Sequence, residues 1–354
     1  MRFVRRLVKG IFSLISIVIL FAVGVVGWLT LAEYQPADVE AVAVAAGVRH
    51  DEARTGKLYR IVSLNIGYGG LGNTEDFFMD GGTGVLPKNK AMVQGNLDEL
   101  LSALLLKTPD ICFLQEVDTG ANRSHYINEA VHFNRGLQMG SAFALNYSCD
   151  FVPFPWPPLG KVQSGLLTLN NLAVTDATRE SLPVPFSWPL RIANLKRCLL
   201  VERVPVAGGQ ELVLVNLHLE AYSSQEGRAA QMRQLSQLMK AEALKGNYVV
   251  AGGDFNQAFP GALEKYPIPA DGVWMPGQLT ESDIPEGFAY AYDMSVPTCR
   301  SLHKPYDGDR KSLVAYVIDG FIVSPNVKVN AVETFDLNFR NSDHQPVVME
   351  FTLQ

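Results

Sequence analysis

The stretch Tyr248-Val-Val-Ala-Gly-Gly-Asp-Phe-Asn256 runs an apolar, β-branched segment into two glycines and stops at a carboxylate and a carboxamide. The segment predicts a buried strand, and Gly252 and Gly253 predict a point where the backbone turns or comes close to something. If the chain stays extended past the glycines, alternation puts Asp254 and Asn256 on one face and Phe255 on the other. Side by side at a strand end, the two polar groups suit a phosphate or a metal-bound water. An Asx turn closing a core strand fits the same residues.

Other predicted strands end in the same manner. Tyr59–Asn65 stops at Asn65, Ile111–Glu116 stops at Glu116, and Glu211–Leu219 carries His218 near its end. The pair Asp343-His344 precedes the last strand, Val347–Leu353. Asp319 interrupts the apolar run Val-Ala-Tyr-Val-Ile-Asp-Gly-Phe-Ile-Val, where a buried carboxylate is costly unless it is paired, and His344 is a candidate partner. Singly these residues have plainer readings: Asn65 caps a turn, His218 is a half-buried histidine between leucines, Asp343 opens a turn ahead of Pro346. As a set they make chemical sense. Glu116 is a hard oxygen ligand suited to Mg²⁺ or Mn²⁺. Two histidines and two asparagines add acid–base capacity and neutral donors for phosphate oxygens, an inventory for metal-assisted phosphoester hydrolysis.

The rest of the chain frames this set. Helical spacing covers 90–107 and 225–245 and part of 124–139, further strands are expected at 143–152 and 165–169, and 198–205 with 211–219 predicts a hairpin across Ala-Gly-Gly-Gln. Long loops fall at 67–90, 151–161 and 257–312. Many strands, few helices and long loops predict a layered α+β domain with sheet-on-sheet packing. The net charge of −6 and the absence of a long basic run beyond the N-terminus argue against nucleic-acid affinity built on phosphate neutralisation, although a nuclease needs only a local site. The four cysteines, Cys112, Cys149, Cys198 and Cys299, lack zinc spacing; Cys112 reads as a buried thiol, and export would allow a disulfide among the other three.

Residues 1–10 are basic and 11–31 uncharged and apolar, long enough for a transmembrane helix. Arg2, Arg5, Arg6 and Lys9 predict a cytoplasmic N-terminus, hence a single-pass anchor in the cell membrane with the bulk of the chain outside the cytoplasm. A signal peptide cleaved after Thr30-Leu-Ala32 is the competing expectation. Residues 32–57 show no clear period and are expected to be a linker, with the catalytic domain at 58–354.

Ser-Leu-Asn65, Leu-Gln-Glu116, Asn-Leu-His218, Gly-Gly-Asp254-Phe-Asn256, Ile-Asp319-Gly-Phe and Ser-Asp343-His344-Gln-Pro occur in that order. Together they resemble the endonuclease/exonuclease/phosphatase superfamily, which includes deoxyribonuclease I, abasic-site endonucleases, inositol-polyphosphate 5-phosphatases and neutral sphingomyelinases. The resemblance implies a four-layered α/β sandwich of two face-to-face sheets flanked by helices, with the site at one rim. It implies Glu116 as principal metal ligand with Asn65 and Asp343 beside the ion, and Asn256 and Asn65 near the scissile phosphate. It implies His218, Asp254, Asp319 and His344 in catalysis, with either Asp254 or His344 as the base. Arg123, which follows Glu116 closely, is a further candidate for the substrate site, and a solvated loop charge fits it as well. Where some relatives carry an acidic residue two positions after the first asparagine, this chain has Gly67. Of the expected one or two Mg²⁺ or Mn²⁺ ions, that favours one.

Loops select the substrate in such a scaffold. Phe151, Phe154 and Trp156 alternate with prolines, and the 257–312 loop offers Trp274, Tyr290, Tyr292, Arg300, Lys304, Arg310 and Lys311. A membrane-tethered, acidic domain with aromatic loops leads to a phospholipid or sphingolipid head group as the first expectation and a monomer as the working form. An extracellular nuclease or nucleotide hydrolase comes next, and a binding module that has lost catalysis is the reading from another class.

Overall fold

The computed structural model describes residues 2–269 and 272–354; Met1 of the basic terminus and Ala270 and Asp271 of the long loop lie outside them. Helix α1 (Arg2–Leu31) leads into strands β1 (Val39–Ala41), β2 (Val44–Ala45) and β3 (Leu58–Asn65). Helix α2 (Lys90–Lys107), β4 (Ile111–Asp118) and helix α3 (Glu129–Leu137) follow, then β5 (Gly140–Val152), β6 (Gly160–Asn170) and β7 (Asp176–Ser181). The second half holds β8 (Cys198–Pro205), β9 (Glu211–His218), helix α4 (Gln225–Leu244), β10 (Tyr248–Asp254), β11 (Ala289–Ala291), β12 (Asp319–Val323), β13 (Val327–Thr334) and β14 (Val347–Leu353).

The strands form two seven-stranded sheets, ordered β1-β7-β8-β9-β10-β12-β11 and β13-β14-β3-β4-β6-β5-β2. Alternation along the central strands supplies both faces of each sheet. Tyr59, Ile61, Ile111 and Phe113 point across to Leu212, Leu214, Val250 and Phe321 and make the core between the sheets. Val62, Leu64, Cys112 and Leu114 turn outward under Val93, Leu97, Leu100 and Leu104 of α2 and Phe133 of α3. On the far side Val213, Val215, Val249 and Ala251 pack under Met232, Leu235 and Met239 of α4. Helix, sheet, sheet and helix give the expected four layers.

Two local expectations are corrected and one, the close approach at the twin glycines, gains its partner. The 32–57 segment is not a free linker: β1 pairs with β7 and β2 with β5, and the Asp51 and Ala53 bridges pair with Leu172 and Val206, so this stretch closes the edge of both sheets. Its strands are two or three residues long with mostly exposed side chains, too short for a period to register. The twin glycines face protein. A Cβ on Gly252 would lie 2.2 Å from the Phe321 ring, and one on Gly253, whose φ is +147°, would lie 1.9 Å from the Leu217 carbonyl oxygen. They let neighbouring strands close on β10. All four cysteines are buried free thiols.

Edge strands β7 and β13 escape the sequence pattern because the first is mostly polar, Asp-Ala-Thr-Arg-Glu-Ser, and the second mixes polar and apolar residues with half of its positions exposed. In the middle of the first sheet Glu202 is fully buried, and Asn170 Nδ2 donates to its Oε2 at 3.0 Å. Burial pushes its carboxyl up to about 7, and the Asn170 bond offsets only part of that. The native state therefore holds a proton that the unfolded chain releases near pH 4.5. Stability should fall as pH rises from there to about 7, by on the order of 3 kcal/mol at most. Glu202→Gln should raise the melting temperature at pH 8 and leave it unchanged at pH 4.5; an equal shift at both values would exclude this linkage.

Candidate active site

The site forms where the central strands of both sheets end together. β10 runs parallel to β9 and antiparallel to β12, in a register that sets Asp254 opposite His218 on one side and Asp319 on the other. β3 runs parallel to β4, which aligns Asn65 with Gln115. An irregularity in β4 between Leu114 and Val117 throws Glu116 out of the ladder at φ +56° and turns its side chain towards the other sheet. After β10 the chain breaks at once: Asn256 sits at φ +50° and its N–H donates to Asp254 Oδ1 at 2.8 Å. The stretch is an Asx turn, and Asp254 and Asn256 also line the cavity over the strand ends. Phe255 points away into the α4-side core.

The polar groups interlock. Asn65 Nδ2 donates to Asp254 Oδ2 at 3.0 Å and stands 3.3 Å from Glu116 Oε1, while its Oδ1 accepts from Gly67 N–H at 3.0 Å. His218 Nε2 lies 3.3 Å from Asp254 Oδ2, and His344 Nε2 lies 3.7 Å from the same oxygen. His344 Nδ1 is bound by Asp319 Oδ2 at 2.9 Å. Asn256 Nδ2 donates to the Leu219 carbonyl at 2.8 Å, which fixes its amide plane. Asp343 is buried beside His344, with Oδ2 3.9 Å from Nε2. A Cβ on Gly67 would lie 2.8 Å from Asp343 Oδ1, so a side chain at that position competes with Asp343 for space.

Electrostatics separates the two histidines. Burial, with Arg197 and His344 adding repulsion, holds His218 well below its usual value, so it is neutral; a proton on Nε2 satisfies the Asp254 contact. Burial also opposes charge on His344, but Asp319, Asp254 and Asp343 outweigh it and hold the ring well above its usual value. Burial is also the main cause that raises Asp254, with His344 pulling the other way and Asp319 adding to the rise. Asp343 is pushed up to about 6 by burial; His344 opposes the rise and the charge of Glu116 adds to it.

Arg123 sits one layer back. Its guanidinium donates twice to Asp118, at 3.1 and 3.0 Å, lies over the Tyr68 ring at 3.9 Å, and reaches Glu116 only at 4.0 Å. Arg300 is buried with its N–H groups on the carbonyls of Leu71, Gly72 and Glu75, and Arg310 pairs with Asp336. Tyr290 and Tyr292 pack on Phe259 in the core. These side chains build the loops around the site.

A cavity of about 540 Å³ opens over the cluster. Asp319 lies behind His344 and does not line it; besides the other expected residues it is lined by Asn146, Arg197, Glu220 and Tyr222, which the sequence did not single out. Asn146 is displaced by an irregularity in β5 between Leu145 and Tyr147, a feature no local pattern announces. Val26 and Leu29 of α1 line the same cavity. The end of the helix is tied down: Trp188 Nε1 donates to Thr30 Oγ1 at 3.2 Å, and Glu33 pairs with Arg191 and Lys196, both at 3.2 Å.

The endonuclease/exonuclease/phosphatase family profile matches residues 62–344. The chain belongs to that family. It is accordingly a hydrolase acting on phosphoester bonds. An endonuclease/exonuclease/phosphatase from Beutenbergia cavernae is similar at 17% identity and TM-score 0.60, over 84% of this chain and 72% of that one. A family protein from Leptotrichia buccalis is similar at 15% identity and TM-score 0.53, over 83% of this chain and 100% of that one. D. rerio TDP2 in complex with single-strand DNA product is similar at 18% identity and TM-score 0.50, over 84% of this chain and 99% of that one. At these identities the likeness is one of fold. No curated protein matches the sequence.

The donor chemistry fits a hard divalent cation. Glu116 and Asp343 are carboxylates, the charge of Glu116 adds to the cost of ionising Asp343, and the guanidinium 4.0 Å from Glu116, that of Arg123, is already engaged by Asp118. Two tighter groupings, Asp254–Asp319–His344 and Cys299–Asp343–His344, also bring three ligand atoms within 4.8 Å. In the first, the ring of His344 is already bound by Asp319.

Proposed function

We propose that this chain is a divalent-cation-dependent phosphodiesterase, anchored by α1 with its catalytic domain outside the cytoplasm, that hydrolyses a phospholipid or sphingolipid at its phosphate. One observation carries the lipid reading: Val26 and Leu29 share a cavity with Glu116, His218, Asp254 and His344. A hydrocarbon core of about 30 Å takes about 20 residues of helix. Counted from Gly10, just past Lys9, those residues end at Leu29. The cavity then opens at the level where acyl chains meet head groups. Phe154 (71% exposed), Trp156 (88%) and Trp188 (55%) stand on loops beside that helix end, the residue types that favour a bilayer interface.

Glu116, with Asn65 and Asp343, would hold one Mg²⁺ or Mn²⁺ ion, which supplies positive charge at the phosphoryl oxygens and acidifies a water. Asp254, raised by burial, accepts the proton of the attacking water, and Asn65 and His218 aim its Oδ2. His344, kept charged and oriented by Asp319, stabilises the phosphoryl oxygens together with Asn256. Arg123 positions Glu116. The water oxygen bonds to phosphorus, the bond from phosphorus to the apolar alcohol breaks, and that alcohol leaves with a proton as the head-group phosphomonoester forms.

The full chain in mixed micelles should hydrolyse sphingomyelin or phosphatidylcholine in Mg²⁺ or Mn²⁺, fall silent in EDTA and recover on metal addition. Phosphoinositides, plasmid DNA and bis(p-nitrophenyl) phosphate complete the panel. Turnover of plasmid with no lipid would sink the lipid reading, and activity that survives chelation would sink the cation.

A further inference from the structure

One wall of the cavity has no role in the chemistry above. It is made by Asp80, Tyr222, Trp274 and Tyr316, from loops far apart in sequence. Tyr222 and Trp274 meet edge to face at 6.3 Å between ring centroids, and Trp274 and Tyr316 at 5.3 Å. Trp274 Nε1 donates to the Ala221 carbonyl at 3.2 Å, and Tyr316 O–H donates to the Trp274 backbone carbonyl at 2.9 Å, so both the indole N–H and the backbone of Trp274 are tied down. Asp80 Oδ1 accepts from Tyr222 O–H at 2.9 Å. Among the described residues no basic side chain pairs with Asp80. The nearest arginine that senses its charge, Arg300, is turned onto backbone carbonyls. An unpaired carboxylate among aromatic rings wants a cation, and the rings limit which kind. A small metal ion gains little from them, whereas an alkylated ammonium is attracted by their faces and loses little hydration there.

Resting on the lipid reading, we infer that Asp80, Tyr222, Trp274 and Tyr316 form a subsite for the ammonium group of the substrate's head. The preferred substrate is then a phosphodiester whose polar alcohol carries a quaternary or primary ammonium. The position agrees with this. The four residues line the same cavity as Glu116, Asp254, Asn256 and His344, so a head group whose phosphate sits at the strand ends shares that space with the wall. The three walls of the cavity match the three parts of such a lipid. The α1 side is apolar, the strand ends take the phosphate, and the aromatic–acid side takes the cation.

The test compares lipids with identical tails. In mixed micelles with Mg²⁺, the full chain should favour phosphatidylcholine over phosphatidylglycerol at least tenfold in kcat/KM, and Asp80→Asn should cut that ratio at least tenfold. Trp274→Leu should reduce the same ratio and serves if Asp80→Asn misfolds. Calorimetric titration adds a readout free of turnover: phosphocholine should bind wild type at least tenfold more tightly than Asp80→Asn, with glycerol 1-phosphate binding both alike. Equal ratios in wild type and variant, or phosphocholine affinity that ignores the substitution, overturn the subsite while lipid turnover keeps the wider reading alive. If neither lipid is cleaved and plasmid is, the wider reading fails, and phosphocholine binding still decides the subsite.

Discussion

His344→Ala should lower kcat on bis(p-nitrophenyl) phosphate by about 10³-fold, inside the range for a positioned acid–base group that also stabilises charge. The ring links Asp319 to the reacting centre, since its Nδ1 takes Asp319 and its Nε2 faces Asp254. Removing it leaves two buried carboxylates with nothing between them, so the melting temperature should fall as well. Asp319→Asn separates the two effects: the ring stays but loses its charge support and its fixed tautomer. Its kcat should also drop steeply, with a smaller loss of stability. A His344→Ala enzyme within tenfold of wild type, properly folded, would remove His344 from the mechanism. KM is informative here too. A group acting on developing charge lowers kcat far more than it raises KM.

Leu29→Asp should reduce lipid turnover relative to bis(p-nitrophenyl) phosphate turnover by about a hundredfold, because a leucine-sized apolar contact is worth about 1.5–3 kcal/mol and the new carboxylate adds desolvation to its loss. Leu29 is buried where α1 meets Tyr147, Leu159 and Ile192, beside the cavity. A milder Leu29→Ala should move the ratio in the same direction, mainly through KM. Both ratios unchanged would make α1 a tether alone. Both substrates lost together, with a collapsed melting temperature, would make Leu29 a structural residue, and the alanine variant then carries the test.

The sheets were legible because their central strands are buried on both faces and read as apolar runs: Leu58–Asn65, Ile111–Asp118, Cys198–Pro205, Glu211–His218 and Tyr248–Asp254. The candidate site residues stand out for a related reason. A polar or charged group at the end of such a run is conspicuous, and the fold gathers Asn65, Glu116, His218, Asp254, Asn256, Asp319, Asp343 and His344 in one cluster. Edge strands carry no such signal, since one face or one ladder is open to water and polar residues serve there. Asn146 and Arg197 were hidden because what brings them to the cavity is a strand irregularity and a contact with the His218 carbonyl, both set by partners distant in sequence. The place of Val26 and Leu29 in the cavity lining was hidden by their own uniformity, for in an apolar helix every residue looks like lipid contact.

The pairing of residues 39–45 with both sheets leaves almost no slack between the helix and the catalytic body. If α1 is the anchor proposed above, the reacting centre would work at one fixed height above one leaflet, search in two dimensions and process only the lipid of the membrane it sits in. In a mixture of vesicles carrying enzyme and vesicles without it, product should accumulate only in the first.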